Sequence, residues 1–260
     1  RIDEFNARLL SLSLTHSFTP TLLNELRFSY TKRMLNILAE NAYVPWTAIT
    51  GAAGADGVGT TYSFPQAFTN TAFQIGDIVS FNMGDHFLRA GFDWRRPQDD
   101  GDFGFASRPG FWYRSLFDYA LDEPYYNYAR FNPTNGAIDS TPRVFQTQEF
   151  GWFIQEDWKV SPRLTLNLGL RWDHFAPVTE KNNQLSNIRF PTGDDYWNRV
   201  ATATVGQVDQ LYDRDMNNFA PRLGFAWDLF GDNTTALRGG YGVSYEKIFF
   251  NVGSNSRFNP

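Results

Sequence analysis

Carboxylates, histidines and glycine-rich turns bring chemistry to a protein, and each such group in this chain also has a purely structural explanation. Asp99-Asp100-Gly101-Asp102 sets three carboxylates within four residues, a density that suits a hard divalent cation such as calcium. The stretch lacks the spaced oxygen ligands and closing Glu of a calcium-binding loop, which argues against calcium. Gly51 to Gly59 has the glycine content of a phosphate cradle, but no Gly-Lys-Ser/Thr follows it. A surface loop is expected there. The three histidines, His16, His86 and His174, lie far apart with no spacing for zinc. His16 and His174 fall close to strand ends on or near an apolar face, where packing at a membrane interface is expected. With no cysteine there is no thiol nucleophile, disulfide or Cys-ligated metal. No serine sits in a Gly-x-Ser-x-Gly elbow and no two carboxylates are spaced as an acid and base pair. Neither enzyme activity nor a cofactor is expected.

Two further sets of residues suit binding. The segment 96–146 holds Phe111, Phe117, Tyr119 and Phe131 around a candidate binding set of Arg108, Trp112, Tyr113, Arg114, Tyr125, Tyr126, Tyr128 and Arg130. Aromatic faces and guanidinium groups together recognise extended or planar ligands. The same residues would also serve for packing one loop on another. A short helix is expected from Arg114 to Ala120. The second set is charged and recurs at alternate positions: Arg27, Arg89, Asp93, Arg171, Asp173, Arg222 and Arg238, with Glu25, Arg95, Glu149, Asp157, Lys159, Asp228 and Glu246 beside them. Both signs are present, so these residues form either a hydrated wall that contacts a solute or a ladder of cross-strand ion pairs.

Alternation itself shows which elements carry these side chains. From Arg163 to Phe175, Leu164, Leu166, Leu168, Leu170 and Trp172 fall on one face, while Thr165, Asn167, Gly169, Arg171 and Asp173 fall on the other. A helix would scatter those leucines, whereas a strand gathers them. The preceding segment, 147–160, places Phe150, Trp152, Ile154 and Trp158 on one face, with Phe153 as an apolar exception opposite, and Ser161-Pro162 joins the two. The unit recurs at 7–18 and 21–32, at 72–82 and 86–95, and at 218–230 and 234–246, turning at Thr19-Pro20, Met83-Gly84-Asp85 and Gly231-Asp232-Asn233. The reading is eight strands in four antiparallel hairpins.

Long segments at 33–71, 96–146 and 176–217 separate the hairpins and lack sustained alternation. Loops beyond about 12–15 residues are uncommon in compact soluble domains. Short turns on one side and long loops on the other are the habit of transmembrane barrels of the outer membrane, with the turns periplasmic and the loops extracellular. Phe18, Phe81, Trp158 and Phe230 beside the tight turns, and Tyr30, Trp94, Trp172 and Tyr245 at the far strand ends, are placed as two aromatic girdles. Composition agrees: aromatic residues make up 17% of the 260 residues, while mean hydropathy is only −0.42. A barrel needs apolar side chains at only every second strand position. A net charge of −5 argues against nucleic acid as a partner. The expected fold is therefore all-β, an antiparallel transmembrane β-barrel in the bacterial outer membrane, with lipid as its surroundings and the charged face lining the lumen.

Two blocks carry a family resemblance: Phe153-Ile154-Gln155-Glu156-Asp157-Trp158-Lys159 through Leu164-Thr165-Leu166-Asn167-Leu168-Gly169-Leu170-Arg171-Trp172-Asp173, and Phe219-Ala220-Pro221-Arg222-Leu223-Gly224-Phe225-Ala226-Trp227-Asp228 followed by Leu237-Arg238-Gly239-Gly240-Tyr241-Gly242. They resemble the barrel of TonB-dependent outer-membrane receptors, most closely the Oar-like group with a carboxypeptidase-regulatory-like domain. The resemblance implies uptake of a bulky solute, a plug domain inside the barrel, and a periplasmic energy-coupling protein that acts on the plug. The chain matches no plug, no coupling motif and no closing strand ending in an aromatic, so residues 1–260 are expected to be an internal portion of the barrel. Two alternatives are a complete eight-stranded barrel with a structural or adhesive role, and a barrel enzyme with a rim site that the sequence does not display.

Overall fold

Strands that alternate apolar and polar residues leave their backbone groups unpaired unless a neighbour takes them up, and here neighbours in sequence do so. The computed structural model describes residues 2–41, 44–51, 57–61, 63–102, 108–131, 136–138, 142–232 and 234–247. In chain order the elements are β1 (Ile2–Thr19), β2 (Leu22–Leu38), β3 (Trp46–Ile49), β4 (Gln66–Met83), β5 (His86–Asp102), β6 (Gly110–Tyr113), α1 (Leu116–Ala120), β7 (Tyr126–Tyr128), β8 (Arg143–Gln146), β9 (Glu149–Ser161), β10 (Leu164–Phe175), β11 (Thr179–Glu180), β12 (Ser186–Arg189), α2 (Tyr196–Ala201), β13 (Thr204–Gln207), β14 (Phe219–Asp228) and β15 (Ala236–Gly242). The wall is an antiparallel meander in the order β1-β2-β4-β5-β9-β10-β14-β15. These are the eight expected strands in their four hairpins. Gly84 and Gly231 hold positive φ at two of the tight turns, a conformation glycine adopts without a Cβ clash.

Register keeps the two faces separate across the wall. Trp172 lies opposite Trp152 on β9 and Phe219 on β14, and Leu168 lies opposite Leu223. Tyr30 meets Phe73 with ring centroids 4.8 Å apart, and Phe92 meets Trp152 at 5.2 Å. On the other face, Arg27, Gly76, Asp93, Gly151 and Asp173 form one row across five strands. One-sided burial in lipid makes such a register strongly specified, because a slip by one residue would exchange the faces.

The strands overrun the expected lengths at the loop end. β2 continues to Leu38, β4 begins at Gln66 and β5 continues to Asp102, so the connections shrink to 39–65 and 103–148. Strands of 17 or 18 residues are about 57 Å long. Tilted like barrel strands, they stand about 43 Å tall against an apolar band of about 25 Å. Beyond the lipid both faces are wet. Alternation therefore fades while the backbone ladder goes on, and pattern alone ends the strand too early. The calcium candidate Asp99–Asp102 lies on this extension of β5, not in the expected loop, and the Asn70 amide donates to the Asp99 carboxylate at 2.6 Å. Pro97 sits where β8 gives way to β9 along β5, a break in the ladder that tolerates a residue with no N–H. β15 differs in the opposite sense: it ends at Gly242, so Val243 and Tyr245 lie outside it.

Buried side chains gather in the loops rather than in the wall. Phe145, Val178 and Leu185 form a small core with Val208, Leu211 and Tyr212 packed against it. The long connections are thus ordered by short strands and two helices of their own. Among the described residues β1 and β15 do not pair with each other. The wall is an open sheet, and the closed eight-stranded ring is not formed.

The two faces respond differently to charge. Leu170→Arg, flanked by Ile154 and Pro221 on the apolar face, is expected to lower stability by about 2–4 kcal/mol, and Ser29→Arg on the polar face by under about 1 kcal/mol. Urea unfolding of the full-length protein in lipid vesicles measures both. Equal losses would show that the apolar face does not meet lipid.

Candidate functional site

Arginine on the polar face is held by geometry that depends on a glycine. Arg171 on β10 sends Nη2 to Asp93 on β5 at 2.8 Å and to Asp173 at 2.7 Å, while its Nε donates to both Asp173 oxygens at 2.8 and 2.9 Å. Asp93 and Arg171 lie on strands separated by β9, and the residue between them is Gly151. A Cβ there would stand 2.6 Å from an Asp93 oxygen and collide with Arg171 Nη2. Glycine at 151 therefore creates the trough in which the guanidinium lies. Gly151 was legible only as a polar-face residue. The available signal was a glycine in the same row as Asp93 and Asp173.

Other lumen candidates lie on the same face but are not all brought together. Glu149 takes Arg95 at 3.3 Å and Lys247 at 2.6 Å, the latter from the segment that follows β15. Arg27 pairs with Glu25 on its own strand at 2.6 Å. Arg89 stacks over Phe87 at 5.5 Å. Arg89 and Arg222 border one hollow of about 370 Å³, and Arg27 and Asp93 border a neighbouring one of about 290 Å³. Arg238 on β15 stands apart from both. Phe153, the apolar exception, lies over Gly91, whose missing Cβ makes room for the ring.

The opposite face is also interrupted. Asp77 accepts from Asn24 at 2.6 Å, and His86 meets Glu156 at 2.5 Å. Both pairs join different strands. Alternation within one strand does not show that an apolar stripe carries its own polar partners.

At the loop end, two long connections fuse into one small sheet. β3 from the first pairs in parallel with β6 from the second, and β6 pairs antiparallel with β7. Arg108 donates to the Phe64 carbonyl and ties the connections together, and burial lowers its pKa. Tyr113 is buried, and its hydroxyl donates to Asp122 at 2.9 Å. Burial, then the Asp122 carboxylate, raises the phenol pKa. Both side chains hold the loops together. The expected helix is present as α1, its N-terminus capped by Ser115 accepting from the Asp118 N–H.

The remaining candidates face outward more. Trp112 is half-buried and packs on Tyr126 at 5.0 Å, and Arg114 lies over the Tyr125 ring at 5.2 Å. Tyr125, Tyr126 and Tyr128 are exposed, as are Leu116 and Phe117 on α1; Arg130 is half-buried. A second exposed aromatic pair, Tyr196 and Trp197, stands on α2, and Trp197 is 75% exposed. Segment 176–217 was not singled out in the sequence, because these rings are isolated among polar residues. Beneath it, buried Glu180 accepts backbone N–H groups from Val144 at 3.1 Å, Asn182 at 2.7 Å and Gln184 at 2.9 Å. It joins β8 to the turn after β11.

The remaining motifs fall elsewhere. His16 meets Phe18 edge-on, and His174 stacks on Trp172. Of the glycine-rich stretch, residues 52–56 lie outside the described residues, as do Asn233 of the last turn and the final Ser256 to Pro260.

Comparison with known proteins places this geometry. A family model described as an outer membrane beta barrel domain matches residues 2–260. No curated protein matches the chain. Among solved structures, the chain resembles the copper transporter OprC at 14% identity and a TM-score of 0.48, over 92% of this chain and 30% of that one. It resembles the siderophore receptor PiuA from Acinetobacter baumannii at 12% identity and 0.47, over 88% and 31%. It also resembles P. aeruginosa FpvA, solved with bound pyoverdines, at 14% identity and 0.46, over 90% and 26%. The chain thus spans under a third of the length of each.

Two substitutions test the arrangement. Gly151→Ala is expected to lower stability by about 1–3 kcal/mol through overpacking. In an Arg171→Ala background the same change should be nearly neutral, which urea unfolding of the full-length protein reads as a double-mutant cycle. Additive losses would mean the guanidinium does not occupy the trough. Glu180→Ala removes the shared acceptor of three backbone N–H groups and is expected to expose segment 176–217 to limited proteolysis while the wall keeps its heat-modifiable gel mobility. Unchanged cleavage would refute that role.

Proposed function

The chain belongs to the outer membrane β-barrel domain family of the bacterial outer membrane, and we propose from that premise that it supplies wall and loops to a TonB-dependent receptor that takes up a bulky solute. The observation that carries this reading is the β3-β6-β7 sheet. It joins two long connections and presents Tyr125, Tyr126 and Tyr128 outward beside Arg114. Rings fixed on a sheet lose little freedom when a ligand docks, so a rigid aromatic platform favours capture. The tight turns then face the periplasm, the charged face lines the lumen, and the apolar face meets lipid.

In this reading Arg27, Arg89, Asp93, Arg171, Asp173, Arg222 and Arg238 bound the passage. The open edges at β1 and β15 support further strands completing the ring, and a plug domain of the same parent fills it. A periplasmic energy-coupling protein acts on that plug. The blocks at 153–173 and 219–242 support the Oar-like group within the receptors.

Cells carrying the full-length protein are expected to take up the solute only while the energy-coupling protein is present. Replacing Tyr125, Tyr126 and Tyr128 together by Ala should raise the half-saturating solute concentration about tenfold or more, as loss of aromatic anchors does, with heat-modifiable mobility intact. Uptake at full rate without the coupling protein would refute energy-coupled transport. An unchanged half-saturation would refute capture by this platform.

A further inference from the structure

Three arginines on the polar face are neutralised where they stand. Arg27, Arg95 and Arg171 each lie within 3.3 Å of a carboxylate. Arg89 and Arg222 have no such partner among the described residues, yet both border the same hollow of about 370 Å³. They belong to one row across four strands, in which Arg89 lies opposite Gln155, Gln155 opposite Gly169, and Gly169 opposite Arg222.

We propose that Arg89, Arg222 and Gln155 form an oxyanion site on the polar face, on the tight-turn side of the Asp93–Arg171–Asp173 cluster. Three strand spacings separate the two arginine Cα atoms by about 14 Å, a span that two guanidinium arms bridge around an oxyanion once Arg89 leaves the Phe87 ring over which it lies at 5.5 Å. Between them the wall is low. Gly169 and Gly242 flank Arg222, where an added Cβ would stand 3.5 Å from its Cβ and Cγ respectively. Gln155 adds an amide donor from the floor, and Phe153 borders the hollow on the loop side. The nearest carboxylate on this face, Asp157, accepts from Asn167 at 2.7 Å and from Gln155 at 3.5 Å, and it pairs with neither arginine.

Planar guanidinium forks that border a space without a side chain suit carboxylate or phosphate oxygens. Two like charges that border one hollow repel, and a shared oxyanion relieves that repulsion. The oxyanion comes either from a solute in the passage or from a carboxylate side chain of a protein segment inside the barrel. The site does not depend on the uptake reading, because either source would be held whether or not the barrel transports.

The test is arginine modification by phenylglyoxal in the full-length protein in detergent, followed residue by residue by mass spectrometry with and without inorganic phosphate. Arg238, on the same face and likewise without a carboxylate partner among the described residues, is the internal control. If solute supplies the oxyanion, phosphate slows modification at Arg89 and Arg222 by about tenfold, as charge-assisted binding predicts, and leaves Arg238 unchanged. In Arg222→Gln the protection of Arg89 is lost, and in Arg222→Lys part of it remains. If a protein carboxylate supplies it, both arginines are slow without phosphate, and Arg222→Gln speeds modification at Arg89. Modification of both at the Arg238 rate in every condition overturns the proposal. So does an Arg89 that stays slow in Arg222→Gln, because simple packing would then protect it.

Discussion

The hydrogen-bonded ladder from β1 to β15 is the constraint on which everything else rests. Hydrocarbon offers backbone N–H and C=O groups no partner, so a strand in lipid must satisfy both edges with other strands. Antiparallel neighbours do this with the shortest possible turns, which is why each wall strand follows its predecessor in sequence. Once the ladder is continuous, the period of two assigns every side chain to a face. Arg171 reaches Asp93 because β5, β9 and β10 are in register, and Gly151 falls between them for the same reason. A single shift in any of these strands would replace the trough with a tryptophan or phenylalanine.

The ladder also explains what was legible in the sequence. Where lipid covers one face, composition must alternate, and the eight wall strands could be read from Leu12, Phe28, Ile75, Phe92, Ile154, Leu168 and their neighbours. Where the wall leaves the lipid, alternation is no longer required although hydrogen bonding is. Arg33–Leu38, Gln66–Thr71 and Arg96–Asp102 therefore read as loop but fold as strand. The polar groups on the apolar face failed for another reason. Asn24 and Asp77 are 53 residues apart, and only register between β2 and β4 shows that one satisfies the other.

The candidate site divides along the same line. Residue type marked an aromatic and arginine-rich segment, but type does not separate a ring that packs from a ring that waits for a ligand. Tyr113 and Tyr126 are three-dimensional opposites within one short sheet: the first is buried with its hydroxyl on Asp122, and the second is exposed with Trp112 behind it. Their difference arises from pairing between β3, β6 and β7, strands drawn from connections more than 50 residues apart. The loop core around Phe145 and Leu185 was hidden for the same reason, since its members come from β8 and from both sides of β11.

Charge distribution on the polar face follows from how glycines are spaced within the rows. At Gly151 the missing side chain lets a guanidinium reach two carboxylates from different strands, and the cluster is internally complete. At Gly169 the same device opens a space lined by Arg89, Arg171 and Arg222 and by no carboxylate. One glycine closes a network and the other leaves it open, with nothing but the neighbouring residue types to distinguish them. A wall built only for stability would neutralise both, because an unpaired charge near a low-dielectric surface carries a desolvation cost that a cross-strand partner would offset. Leaving Arg89 and Arg222 without a carboxylate at one hollow makes the open row a position on the wall where an external anion gains.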